Sequence, residues 1–463
     1  MNRRDSIRLI PLTLAGISGI ARRVSAQEPG CLKCTVGPTP SGEPLAIQYT
    51  KRTRAKLMTL RETQSENLLE AAYAIARTVR NKGVCWSSWD MGHSISADMI
   101  PDRNGEPEIF RIDIDLAKAK KGDLFLANVW GGDRQELVKK EVFVIGAPAP
   151  WGGDARRADL IDRDSAKLLM RPYSNLWIDI DITTIDGEVY VTGMPAPIGP
   201  FSGVIGMATY WMMLADACRV LARDGVFVGV KGDEPKLSDR KGVVWAGLNE
   251  PLIDEYYDTI MMQIEMIGAE MGNIRKIAGM AVDAVLGGGK VWCYSRYSDS
   301  LSVEASTRRS GLALTQGTHD GDPNFKGTPK DMVIMGFYKP DDPVDLKHFD
   351  EFRRLGMKVA SIGPLTRDIA IPDGRTIPKE SDVHVGRMTD TYGIFAIPGF
   401  ERKICPTSGV LMNQIFWAVC LEIVEQMIRR TDGNVPGVFF SAAIKGGSEH
   451  MIRMHELYRE RGY

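Results

Sequence analysis

The chain has 463 residues, more than one ordinary hydrophobic core accommodates, so two domains of about 200 residues each are the natural expectation. Hydrophobic residues make up 44% and charged residues 25%, the balance of a soluble globular protein rather than a disordered or fibrous one. A formal net charge of -1 argues against a nucleic-acid partner, because binding a phosphate backbone needs a basic face.

In chain order, the first 26 residues come first and differ from the rest. MNRRDSIR is a positive segment, LIPLTLAGISGIA is an apolar run of 13, and RRVSA ends in a cleavage pattern at Ala26. The run is too short to span a bilayer, which takes about 20 residues, so it reads as a signal peptide and the mature chain is expected to hold no membrane span. Arg3 and Arg4 in N-R-R-D-S-I resemble a twin-arginine export signal, with Ser6 where a large apolar residue is usual. That implies a periplasmic or other extracytoplasmic protein. Removing five Arg and one Asp with this segment takes the net charge from -1 to about -5.

Residues 27–49 read as an N-terminal linker. They hold a lone C-x-x-C, Cys31 and Cys34, expected as a local disulfide or two idle thiols. Seven cysteines are too few and too scattered for a disulfide scaffold. A helix follows over ENLLEAAYAIARTVR, residues 66–80, where apolar residues recur at the 3.6-residue period. After a turn at Asn81–Gly83 comes the β-like run VCWSSW and then WDMGHSISADM, which leads toward a second helix. The continuous apolar runs DLFLANV and EVFVIG alternate with helices, the pattern of a parallel sheet buried on both faces.

This pattern occurs twice. PFSGVIGMATYW (Pro200 to Trp211) matches PTSGVLMNQIFW (Pro406 to Trp417), with S-G-V two residues after each proline and a tryptophan eleven after it. Upstream, KGDLFLANVWGG aligns with PKDMVIMGFYKP, pairing Asp123 with Asp331. Placing Ser94 on Ser300 brings Ser96 onto Ser302 and Asp98 onto Glu304, while His93 falls on Asp299. A repeat of this length is a domain duplication, because solenoid units run about 20–50 residues. The expected domains are residues 50–232 and 255–463, joined by a linker at 233–254.

With the repeat drawn, both halves resemble the sugar isomerase, or SIS, domain family, in an uncharacterised branch. The likeness rests on Gly92-His93-Ser94, on NVWGG (Asn128 to Gly132), on IGPFSG and CPTSG, and on the C-terminal VFFSAAIKGGSEHMIRMHELYRER. It implies an α/β fold of two α-β-α sandwiches, each with a central parallel sheet, and a small carbohydrate ligand, phosphorylated or not. It also implies an aldose–ketose isomerase, or a non-catalytic sugar-binding or sensing protein. SIS domains commonly pair, and two chains or the two domains of one chain would satisfy the same burial. NVWGG and GFYKP lack the serines of the family's second loop, which weakens a phosphate grip there.

The candidate substrate-binding residues are Gly92, Ser94, Ser96, Asn128, Gly131, Gly132 and Ser202 in the first half, and Ser300, Ser302, Thr407 and Ser408 in the second. A glycine-serine loop before a helix suits an anion, because the first helical N–H groups lack intrahelical partners and the dipole adds positive charge. Ser94 could equally be a bare N-cap, and Ser202 and Ser408 are expected as N-caps. His93, Glu449 and His450 are the candidate acid–base residues, since isomerisation needs a base to move a proton between carbons and an acid to open the ring. Each has a bland alternative: a structural histidine at 93, a helix-start glutamate at 449 and a surface histidine at 450. Asp98 and Glu304 could also serve as bases, but are expected at the surface or as caps. His319, Asp320 and Asp322 lie in a turn rather than a metal site, the glycines at 287–289 form a turn before a strand, and no metal or cofactor is expected.

Overall fold

The apolar rhythm at residues 66–80 is the latter part of a longer helix in the computed structural model. The structure describes residues 42–87, 98–99, 103–112, 117–127, 134–147, 171–182, 186–191, 197–232, 236–296, 301–307, 312–364, 374–387 and 393–431. All of them lie in one compact unit, Cys34–Tyr463. Helix α1 (Leu45–Arg80) opens the first half, beginning a few residues ahead of the expected domain start. Strands β1 (Cys85–Ser87), β2 (Phe110–Ile112) and β3 (Leu124–Ala127) follow, then α2 (Arg134–Lys139), β4 (Phe143–Gly146) and β5 (Leu176–Trp177). A short antiparallel pair, β6 (Gly187–Val189) and β7 (Ile198–Pro200), feeds helix α3 (Ser202–Arg223).

The second half runs in the same sense. Helices α4 (Leu252–Met266) and α5 (Met271–Leu286) precede β8 (Val291–Ser295), α6 (Leu301–Thr307), β9 (Thr315–Thr318) and β10 (Met332–Gly336). Helix α7 (Pro343–Arg354), β11 (Lys358–Pro364), α8 (Ile377–Glu380), β12 (Val383–Arg387) and α9 (Ser408–Arg430) complete it.

Each half holds a five-stranded, all-parallel sheet, of order β2-β1-β3-β4-β5 and β9-β8-β10-β11-β12. Counted within its own half, each order is 2-1-3-4-5, the doubly wound arrangement in which the chain starts near the middle and reverses direction once. Strand β10 shows why its sequence is apolar throughout. Met332 and Ile334 face the long helices, whereas Val333 and Met335 pack under Phe349 and Phe352 of α7. Two buried faces leave no position for a polar alternation.

Helices α3 and α9 explain the most hydrophobic stretches of the chain. Both are long and apolar enough to cross a membrane, but the apolar stretch of each is wholly buried inside the protein. They pack against each other and against α1 and α4, so residues of both halves share one hydrophobic core. The pairing is reciprocal. The Leu45 N–H at the start of α1 donates to Glu425 of α9 at 2.8 Å, and the Leu252 N–H at the start of α4 donates to Asp216 of α3 at 3.1 Å. Each half thus supplies the carboxylate that satisfies an unpaired N–H at the other's first helix.

Candidate functional site

In a doubly wound sheet, ligands bind in the crevice beyond the carboxyl ends of the strands, where the strand order reverses. That point falls between β1 and β3 in the first half and between β8 and β10 in the second. The segments leaving these strands are 88–97 and 128–133, and 296–300 and 337–342. Gly92, His93, Ser94, Ser96, Asn128, Gly131, Gly132 and Ser300 belong to these segments but lie outside the described residues, as do Glu449 and His450. Cys31 and Cys34 also lie outside them.

Hydrogen bonds recur at matched positions in the two halves, the first of them at the amino ends of the strands, opposite the crevices. Asp123 accepts from the Val84 N–H at 2.9 Å and from the Trp86 indole at 3.2 Å. Asp331 accepts from the Lys290 N–H at 2.8 Å and from the Trp292 indole at 3.4 Å. The Tyr49 hydroxyl donates to the Pro200 carbonyl at 2.7 Å and the Tyr256 hydroxyl to the Pro406 carbonyl at 3.0 Å. Asp98 and Glu304, expected at the surface or as caps, are instead fully buried. Asp98 accepts from the Trp211 indole at 2.8 Å and Glu304 from the Trp417 indole at 3.1 Å. A buried carboxylate needs such donors, and the tryptophans of the two S-G-V helices supply them.

Asp98 has a second partner that the sequence reading did not single out. Arg103, fully buried, sits 3.1 Å from it through Nε. Its Nη1 donates to the Tyr338 hydroxyl at 2.8 Å and to Ser408 Oγ at 3.0 Å. Its guanidinium lies 5.5 Å and 5.8 Å from the ring centroids of Tyr338 and Trp211. A side chain of the first half therefore reaches Tyr338, just past β10, and Ser408, at the start of α9. Gly409 completes the wall: a Cβ there would lie 2.7 Å from both carboxylate oxygens of Asp98. The signal available in the sequence was spacing, since Arg103 follows Asp98 by five residues as Arg309 follows Glu304. Arg309 lies outside the described residues.

Next to this pair, Glu106 is buried too. It accepts from the Tyr210 hydroxyl at 3.0 Å and from Lys231 Nζ at 2.5 Å. Burial pushes its carboxyl up to about 7, opposed by Lys231 and helped by the charge of Asp98.

Ser202 and Ser408 are the first helical residues of α3 and α9 rather than their N-caps, which are Phe201 and Thr407. In the first half the capping group comes from elsewhere. Asp186 accepts from the Phe201 and Ser202 N–H groups at 3.1 Å and 2.8 Å and from Ser202 Oγ at 2.6 Å. Gly199, three residues before the helix, holds a φ of 81°, a conformation that favours glycine. Thr407 and Ser408 are both buried, and Ser302 is the second residue of α6, partly buried.

The second crevice carries a further ion pair. Arg296, one residue past β8, donates to Asp342 at 2.8 Å and stands 3.7 Å from Asp345. Asp342 is also the N-cap of α7, accepting from the Val344 and Asp345 N–H groups. The turn reading of His319, Asp320 and Asp322 holds: Asp322 accepts from the Asn324 N–H at 2.9 Å, and His319 is bonded to the Asp320 carbonyl. Among the described residues no group of three His, Cys, Asp or Glu could hold a metal ion.

No known family model matches the chain. A UPF0309 protein of Geobacillus kaustophilus is 24% identical over 241 residues, which is 45% of this chain and 95% of that protein. Among solved structures, the chain is similar to a candidate phosphosugar isomerase of Silicibacter pomeroyi, with a TM-score of 0.47, 10% identity and coverage of 85% of this chain and 99% of that one. It is also similar to a candidate sugar-binding protein of Salmonella typhimurium LT2, with a TM-score of 0.46, 12% identity and coverage of 81% and 99%.

Proposed function

We propose that this is an exported protein of two SIS-type domains that takes a sugar or sugar phosphate into the first-half crevice and isomerises it between aldose and ketose. One observation carries the reading. In the 2-1-3-4-5 order, the strands flanking the switch point are those followed by the Gly92–Ser96 and Asn128–Gly132 segments, and ligands of such sheets bind there. Backbone N–H groups and the Ser94 and Ser96 hydroxyls would hold the ligand. His93, Glu449 and His450 would divide the ring-opening and proton-transfer steps among them. A second reading, a non-catalytic sugar-binding protein, is favoured by the second half, whose crevice residues Tyr338 and Asp342 are already engaged by Arg103 and Arg296.

The test is a thermal-shift screen of the mature chain with sugars and sugar phosphates, each binder then being incubated in deuterated water. Binding with deuterium incorporation next to the carbonyl is the expected result. Binding without it would leave the non-catalytic reading. No stabilisation by any sugar at millimolar concentration would sink both. Export is tested in cells: replacing Arg3 and Arg4 with lysine should leave the chain unprocessed, and normal processing would refute a twin-arginine route.

A further inference from the structure

We infer that two copies of the chain pair through the outer face of α4 and the loop at residues 240–247, the basic groove of each copy taking the acidic groove of the other. The pairing is independent of what the crevices bind.

The face begins on the segment that joins the halves. Residues 240–247 run over the surface ahead of α4, and their backbone is tied down. Trp245 forms a parallel bridge with Ala396, and the Ala246 N–H donates to the Ala396 carbonyl at 2.8 Å. On this anchored backbone Val244 is 85% exposed and Trp245 50%. Met262, on the outer stripe of α4, is 57% exposed. One bulky apolar side chain in water is ordinary, but several on a face rimmed by charges mark an interaction surface, and tryptophan is among the residues that most often anchor one.

Two grooves of opposite charge share this face. One, of about 430 Å³, lies between the loop and residues 394–396 and is lined by Arg240, Lys241, Lys403 and Trp245. The other, of about 510 Å³, follows α4 and is lined by Glu250, Asp254, Asp258 and Met262. Glu255 lines both, so the grooves adjoin. The chain uses these charges only in part. Arg61 of α1 pairs with Asp254 and Asp258. Lys241, Glu250 and Glu255 are exposed, and among the described residues none of the three forms an ion pair.

A basic groove beside an acidic one is complementary to itself after a half-turn. In a twofold pair, residue i of one copy meets residue j of the other and j meets i, so a single face can supply both halves of every contact. Each groove also has an apolar edge, Trp245 in one and Met262 in the other, which the same pairing removes from water. A small anion held by Lys241 and Lys403 would leave the acidic groove unmatched and Val244 and Met262 in water. A second copy answers all of these at once. Because the matched charges lie at the surface, salt screens them, and the pair weakens as ionic strength rises.

Sedimentation equilibrium of the whole chain tests the pairing, at loadings from about 1 to about 100 μM in about 50 mM salt. A monomer–dimer equilibrium is expected, and a monomer throughout would overturn the inference. Lys241→Glu and Glu250→Lys should each weaken the dimer about tenfold or more, because in a twofold pair each change sets like charges together twice. An equimolar mixture of the two variants puts opposite charges back at both contacts, and its heterodimer should regain the wild-type affinity within about threefold. Misfolding of either variant could not produce that recovery. Trp245→Ala should weaken the dimer as well, through the lost apolar contact. A dimer indifferent to any of these changes, or a mixture that pairs no better than either variant alone, would overturn the inference.

Discussion

Glu106→Gln isolates one buried carboxyl whose titration should be visible in the stability of the whole protein. The carboxyl is fully buried, faces Lys231, Tyr210 and Asp98, and is held at about 7 against an ordinary 4.5. The folded value lies above the unfolded one, so the native state binds the proton more tightly. The resulting stabilisation is complete below pH 4.5 and disappears as pH rises through about 7. Two and a half pH units correspond to about 3 kcal/mol, of which between about 2 and 3 kcal/mol falls between pH 5 and pH 8. Urea unfolding of wild type and Glu106→Gln at those two pH values reads the difference directly. The wild type should lose that amount relative to the variant on going from pH 5 to pH 8. Parallel pH profiles, or a wild type that gains relative stability at pH 8, would refute the reasoning and imply that Lys231 keeps Glu106 ionised throughout.

Three further outcomes are expected. Asp216→Ala should destabilise by about 3–5 kcal/mol because it strands the buried Arg219, while Glu425→Ala should cost about 1 kcal/mol because its partner Arg429 is largely exposed; equal losses in urea unfolding would contradict this. Gly409→Ala should cost about 1–3 kcal/mol by crowding the Asp98 carboxylate, whereas Gly374→Ala, with open space at its Cβ, should stay within about 0.5 kcal/mol of wild type. The thiols of Cys85, Cys218, Cys293, Cys405 and Cys420 are all pushed up by burial, so a thiol reagent at pH 8 should label no more than two of the seven cysteines before denaturation and the other five after it.

Much of the architecture was legible because it is written in short-range patterns. The apolar runs DLFLANV and EVFVIG became β3 and β4, and the two S-G-V helices became α3 and α9. The outer strands were not legible. β2 is FRI, with an arginine at its centre, and β9 is TQGT, which holds no apolar side chain, so nothing local marks them as strands. The serines at 202 and 408 are not the N-caps, since a cap signal is a one-residue pattern: the cap positions are Phe201 and Thr407, and at Ser202 the capping group is Asp186, sixteen residues upstream. The Arg103 contacts were beyond any local reading, since its partners Tyr338 and Ser408 lie 235 and 305 residues away. A buried arginine is visible in sequence only as an ordinary charge, until a fold provides the carboxylate that makes burial tolerable.

The exchange of capping carboxylates between Glu425 and Leu45, and between Asp216 and Leu252, means that neither half is finished by its own residues. The loop joining the halves is therefore a tether and not the bond that unites them. A chain cut in that loop should yield two fragments that are unstable apart and reassemble on mixing, as two subunits would. Heat should melt the uncut protein in one transition. A lesion deep in α3 would then weaken α4 and its sheet as much as its own, and natural variation in the two halves would have to be matched rather than independent.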